Sequence, residues 1–176
     1  MDIKDFKNIL FAKAKDEGFS EYEIYYSERK SFSVNIYKEQ IEKYQNSETS
    51  FGFRGIYNGK MGYYYSETVD ESIIPEVIST AKINAKLLEN DEKEFIYEGS
   101  SKYPDLDLYN TNLNKLTAND KIDLALKMEK AAYTYDKRIT AVNTSLINTG
   151  DSSVYIANSK EWSYLTNKIM QLLILE

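Results

Sequence analysis

The chain has 176 residues, 28 Asp and Glu against 22 Lys and Arg for a net charge of −6, and neither Cys nor His. That composition excludes disulfides, thiolate metal sites, a Cys nucleophile and every imidazole ligand or base, and its scattered basic residues form no stripe for neutralising phosphates, so direct nucleic-acid binding is not expected. The length suits one domain or two very small ones, enough to bury a real core, the longest apolar run, IMQLLILE, falls short of the ~20 residues that cross a bilayer, and the charged, amphipathic start is unlike a secretory leader; a cytoplasmic protein with no membrane partner is expected.

Residues 2–17 place Ile3, Phe6, Leu10 and Ala14 about one helical turn apart, and Gly18 follows where a helix would stop. The period then changes to two. Phe32, Val34 and Ile36 alternate with Ser31, Ser33 and Asn35, as in a half-buried strand. Four strands are predicted at 21–28, 31–38, 41–56 and 60–67, paired mainly antiparallel. Asp70 is a good N-cap for a second helix that tolerates Pro75 in its first turn and buries Ile74, Val77, Ile78, Ala81, Ala85 and Leu88. Residues 97–116 hold turn formers without a lasting period, which predicts a loop and an internal boundary. Thr117 caps a third helix reaching about Tyr135, with Asp120 reciprocating in a capping box and Ile122, Ala125, Leu126, Ala132 and Tyr133 facing inward. RITAVNTSLINTGDSSVYIANS closes the pattern as a hairpin turning at Asn148–Asp151. The order α-β-β-β-β-α-loop-α-β-β predicts an α+β fold, a mostly antiparallel sheet of about six strands with three helices.

Within FGFRGIYNGKMGYYYS, residues 51–66, Asn58-Gly59 is a strong type I′ hairpin signal, because both residues tolerate positive φ. That turn pairs Tyr57 with Lys60, Ile56 with Met61, Gly55 with Gly62, Arg54 with Tyr63 and Phe53 with Tyr64. Gly55 and Gly62 then leave a bare notch of backbone on the face shared by Phe53, Tyr57 and Tyr64. These five residues, Phe53, Gly55, Tyr57, Gly62 and Tyr64, are the candidate contact site. Either another element of the same fold enters the notch, or a peptide or partner subunit does. On the opposite face Arg54 lies beside Tyr63, where stacking or a cation–π contact is expected.

Other groups offer less. Glu129 interrupts the inward stripe of the third helix; a boundary carboxylate held by Arg138 or Lys130 is expected rather than a catalytic acid. Asp105, Asp107 and Glu98 lack the glycine and ligand spacing of a calcium loop, which favours a solvated loop. The 16 Tyr sit mostly at strand alternations without a basic groove, so half-buried sheet faces explain them better than stacked bases. No catalytic, cofactor or metal residue is assigned.

The run EYEIYYSERKSFSVNIYKEQIEKYQNSETSFGFRGIYNGKMGYYYSETVDESIIPEVISTAKINAK, followed by KIDLALKMEKAAYTYDKRI and VYIANSK, resembles the N-terminal domain of the TldD/PmbA proteins, and the PmbA (TldE) branch more closely. The similarity covers residues 1 to about 160, and the family is often labelled modulator of DNA gyrase. The resemblance implies a cytoplasmic proteolytic system acting on peptides and unfolded polypeptides. TldD-type members hold zinc in a His-Glu-x-x-x-His motif beyond the length of this chain, and PmbA-type subunits pair with them without supplying that motif. Zinc is therefore expected only in a TldD-like partner, and this chain is expected to be inactive alone, a scaffold that helps enclose peptide. Its expected partners are a TldD-like subunit or a second copy, and a peptide substrate. A stand-alone interaction module, binding through a sheet edge or the Gly/Tyr hairpin, is the alternative.

Residues 161–176, EWSYLTNKIMQLLILE, depart from the family pattern. Restoring one G before the codons of Glu161 to Leu175 permits the reading Gly-Val-Glu-Leu-Ser-Tyr-Lys-Gln-Asn-Asn-Ala-Ile-Ala-Tyr-Ile, which resembles the family's continuation. We read the tail as the product of a one-base shift of frame near Lys160, with the C-terminal metalloprotease-type domain absent. The alternative is a natural end whose Ile169, Leu172, Leu173 and Leu175 form a terminal helix on the sheet or an exposed apolar tail. Sequencing the gene across these codons is expected to show that one restored base opens a long downstream frame; DNA in which no such restoration does so overturns the reading.

Overall fold

The computed structural model describes residues 1–89, 92–104 and 106–176. The chain runs α1 (Ile3–Asp16), β1 (Glu21–Tyr37), β2 (Gln40–Tyr57), β3 (Lys60–Ser66), a 3-10 turn (Glu71–Ile73), α2 (Ile74–Leu87), α3 (Thr111–Asn114), α4 (Ala118–Tyr135), β4 (Ser145–Asn158) and β5 (Ser163–Leu175). The fold is α+β, with one five-stranded sheet in the order β3-β2-β1-β4-β5. Among the described residues no helix is long and apolar enough to cross a membrane.

The strand count differs from the expected six for two reasons. Residues 21–37 are one strand of 17 residues rather than two, because the polar Ser27–Lys30 stretch stays extended. Residues 148–151 do not turn; they lie within the 14 residues of β4. The hairpin partner of β4 is instead β5, formed by the tail, so the terminal helix that stood as one alternative for these residues is not formed.

Contacts divide the chain into two compact units, Met1–Glu28 with Glu48–Asp105 and Ser153–Thr166, and Arg29–Ser47 with Leu106–Ser152 and Asn167–Glu176. In the first, Phe6, Leu10 and Ala14 of α1 and Val77, Ile78 and Ala81 of α2 join Ile24, Phe51 and Phe53 in a single core. Phe6 meets Phe51 edge to face, with centroids 4.9 Å apart. Asp2 caps α1 through the Lys4 N–H, and Asp70 caps the 3-10 turn that leads into α2. A smaller cluster of Ile56, Met61 and Ile96 closes over the outer side of the hairpin. Ile96 is tied down there, its N–H donating to Glu21 Oε2 at 2.7 Å and its C=O accepting from Lys160 Nζ at 2.8 Å. The tail joins this unit through Trp162, whose ring lies against Gly99, where an added Cβ would sit 2.3 Å from the indole.

In the second unit Phe32, Val34 and Ile36 of β1 pack with Ala125 of α4 and Ile147 of β4. The Thr117–Asp120 capping box opens α4 as its sequence indicates. Glu129 does not bind Arg138 or Lys130. It is 3% exposed, and its carboxyl oxygens accept the main-chain N–H groups of Lys38 at 2.8 Å and Glu39 at 3.2 Å, while Arg138 pairs with Asp136 at 2.6 Å. Lys38 and Glu39 form the β1–β2 turn with φ of 50° and 63°, the left-handed pair that a type I′ turn demands and that Gly and Asn usually fill. The buried side chain compensates for a turn without glycine. Replacing Glu129 with Ala strands two main-chain donors, and a loss of about 2–4 kcal/mol is expected in urea unfolding; Glu129→Gln, which keeps one acceptor, is expected to lose roughly half as much.

Candidate functional site

The β2–β3 hairpin turns at Asn58 and Gly59, with φ of 52° and 80°, and its register is Phe53↔Tyr64, Arg54↔Tyr63, Gly55↔Gly62, Ile56↔Met61 and Tyr57↔Lys60. The glycine pair lies as the sequence places it, and this chain itself enters the notch. A Cβ on Gly62 would stand 1.9 Å from the carbonyl oxygen of Ala81, and one on Gly55 would stand 2.6 Å from the Phe19 ring. The α2 backbone therefore rests on Gly62, and Phe19 fills the space over Gly55, edge to face with Phe53 at 5.6 Å.

The remaining candidates surround that plug. Tyr57 contacts Phe19 at 5.5 Å and carries Lys82 and Lys86 over its ring at 4.9 and 5.8 Å. Lys82 also pairs with Glu17 at 2.6 Å; bonds from Lys82 and then Lys13 hold the Glu17 carboxyl down to about 2. Tyr64 donates to Glu76 Oε1 at 3.0 Å, and burial, followed by that bond, raises its pKa. Gly55, Gly62 and Phe53 are interior and Tyr57 and Tyr64 half-buried, so the notch itself is closed to an outside ligand.

What the hairpin leaves open is its other face. Phe53 and Tyr64 border a cleft of about 750 Å³ whose walls include Tyr25, Tyr63 and Tyr65, exposed by 48%, 50% and 65%. Arg54 lies among these rings, but its guanidinium is directed at Glu23 rather than stacked on Tyr63; Nε and Nη2 both reach Glu23 Oε1 at 2.8 Å. The carboxylate of neighbouring β1 offers a stronger, directional partner than a ring face. Sequence reading missed Glu23, although its alternation with Tyr22 and Ile24 signals the outward face of β1.

Edges matter as much as faces in a sheet, because unpaired main-chain groups there are open to another strand. A two-residue hairpin makes Tyr57 and Lys60 a hydrogen-bonded pair, so Met61, Tyr63 and Tyr65 direct their main-chain groups away from β2. Two of these positions are covered: Glu94 accepts the Met61 N–H, and Asn84 Nδ2 donates to the Tyr63 C=O at 2.8 Å. β2 differs. Among the described residues β3 pairs only with Phe51–Tyr57 of β2, and residues 40–48 of β2 are exposed throughout. By the same alternation residues 41, 43, 45 and 47 turn their main-chain groups to that unpaired side. Asp105, read with Asp107 and Glu98 as part of a solvated loop, lies outside the described residues; among the described residues no three carboxylates are grouped to hold a metal.

Residues 22–85 match the family model described as PmbA/TldA metallopeptidase domain 1, and residues 111–161 the one described as PmbA/TldA metallopeptidase central domain; together they cover more than half of the chain. No curated protein matches it. Among solved structures, a candidate modulator of a DNA gyrase from Thermotoga maritima MSB8 superposes with a TM-score of 0.85 at 22% identity, over 98% of this chain and 39% of that one. A second candidate modulator of DNA gyrase, from Bacteroides thetaiotaomicron VPI-5482, gives 0.80 at 20% identity over 96% of this chain and 39% of its own. TldE from Thermococcus kodakarensis gives 0.80 at 19%, over 97% and 39%. The chain thus spans about two-fifths of the length of the solved relatives it matches.

The close approach at Gly62 separates two substitutions. Gly62→Ala must push the α2 backbone off the hairpin and is expected to cost about 3 kcal/mol or more in denaturant unfolding. Gly59→Ala meets nothing within 4 Å and bears only the left-handed backbone, about 1 kcal/mol. Equal losses at the two sites would contradict the packing described.

Proposed function

The chain belongs to the PmbA/TldD metallopeptidase family, and from that premise we propose that it is the N-terminal scaffold of a PmbA/TldE-like subunit, which helps enclose extended peptide for a zinc-bearing TldD-like partner. It supplies no catalytic residue: a chain without His or Cys offers neither imidazole nor thiolate to zinc. The proposed setting is the cytoplasm, which suits a chain without Cys.

The observation that carries this reading is the open edge of β2. An extended peptide laid beside residues 41–47 would gain main-chain hydrogen bonds at each alternate residue, which gives affinity with little demand on sequence. That economy suits a system that accepts unfolded polypeptides. Covered positions on β3 direct the added strand to β2 instead.

A second reading is favoured by the tyrosine cleft. Three half-exposed rings around the Arg54–Glu23 pair have the aromatic and Arg composition of a protein-binding surface, as a stand-alone interaction module would require. The two readings part at one substitution. Proline at position 45 removes an outward N–H without breaking the bonds to β1, a placement that edge strands tolerate. Gln45→Pro is expected to weaken binding of an unfolded probe such as oxidised insulin B chain at least tenfold, with the circular dichroism spectrum unchanged. Undiminished binding sinks strand addition and leaves the tyrosine cleft as the docking surface.

A further inference from the structure

The partly buried lysines Lys82, Lys160 and Lys121 are differently provided for. Lys82 has Glu17, and Lys160 has Glu21 at 3.3 Å. Lys121, in the first turn of α4, has no such partner among the described residues. Its Nζ donates to Thr149 Oγ1 at 3.0 Å and lies 5.0 Å from the centre of the Phe32 ring. Thr149 is itself 7% exposed. A hydroxyl and a ring face leave ammonium protons without a paired carboxylate among the described residues, and burial lowers the pKa of this group. A desolvated cation is costly until an anion meets it.

Lys121 and Thr149 line a cleft of about 510 Å³ that also takes in Gln45 and Ser47 of β2. The open edge of β2 thus runs into the cleft, and a strand laid along it delivers one end to Lys121. Asp151 lines the same cleft, its carboxylate accepting from the Tyr109 hydroxyl at 3.3 Å; it would repel a second anion and offer an acceptor to amide N–H groups of a bound strand. We propose that this cleft receives a carboxylate of the bound peptide, with Lys121 as its counter-ion and Thr149 holding the ammonium in place. The inference rests on the reading of the chain as a peptide-binding scaffold and adds what that reading lacks, a polar anchor at one end of the strand.

The test uses nuclear magnetic resonance of the full chain with three acetylated hexapeptides of Ala, Gly and Ser: one with a free C-terminal carboxylate, one amidated, and one amidated with a central Glu. The free acid is expected to shift the amide signals of Thr149 and Gly150 and to bind at least tenfold more tightly than the plain amide. Lys121→Gln is expected to abolish that preference and Lys121→Arg to restore part of it. A Glu peptide that matches the free acid assigns the site to any carboxylate, and one that behaves as the plain amide assigns it to the chain terminus; both support the proposal. Equal binding of acid and amide by the unsubstituted chain overturns it, and so does a preference that survives in Lys121→Gln. Signals of Ile41 and Lys43 report the strand edge separately. Their movement with a silent cleft overturns the anchor alone, whereas silence at both removes the peptide reading with it.

Discussion

The first unit depends on the absence of two side chains. With Gly62 opposite Gly55, the α2 backbone lies directly on the hairpin, and a Cβ at Gly62 would occupy the position of the Ala81 carbonyl. Helix and sheet cannot approach that closely through ordinary side chains, which hold such layers about 10 Å apart. The close contact presses Phe19 between Phe53 and Tyr57 and brings Lys82 and Lys86 over the Tyr57 ring. It also brings Asn84 to the outer edge of β3. One glycine pair thus determines the ring cluster, the lysine stack and one of the two caps on an exposed strand.

The second unit solves its turn differently. Lys38 and Glu39 take the left-handed conformation that Asn58 and Gly59 take in the first hairpin, but with side chains that gain nothing from it. Glu129 makes up the difference from across the unit, by offering a buried acceptor to each strained residue's N–H. The two hairpins are alike in shape, one encoded locally and the other by a residue about ninety positions away.

This contrast explains what was legible in the sequence. Asn58-Gly59, the Thr117–Asp120 box and the stripe through Ile74, Val77, Ile78 and Ala81 are local signals, and each formed as read. Glu129 looked like a boundary carboxylate because its partners are main-chain groups, which leave no mark on composition. The strand breaks placed at residues 29–30 and 148–151 had a similar cause. Polar runs resemble turns, yet here they are strand segments whose partners are remote: Thr149 meets Lys121, and Asp151 meets Tyr109. β5 was hidden because Leu165, Met170, Leu172, Leu173 and Leu175 follow no strict alternation and stay about half exposed. The tyrosine cleft was half legible: Tyr63 and Tyr65 alternate outward, but the Glu23 that holds Arg54 lies 31 residues before it.

The treatment of strand edges is the strongest argument for a binding role. An unguarded edge invites aggregation, so proteins cover, charge or shorten it. This chain does so on β3, where Glu94 and Asn84 cap successive outward groups, and on β5, where the Ile169 N–H donates to the Leu108 C=O at 3.1 Å. Residues 41–47 of β2 instead extend past the end of β3 with both faces exposed and only Glu42 and Lys43 as charged guards. They also end beside Lys121, a partly buried lysine whose ammonium has a hydroxyl and a ring but no carboxylate among the described residues. Protection on two edges and its omission on a third, where an unmatched cation waits, is the pattern expected of a sheet that receives a strand from elsewhere.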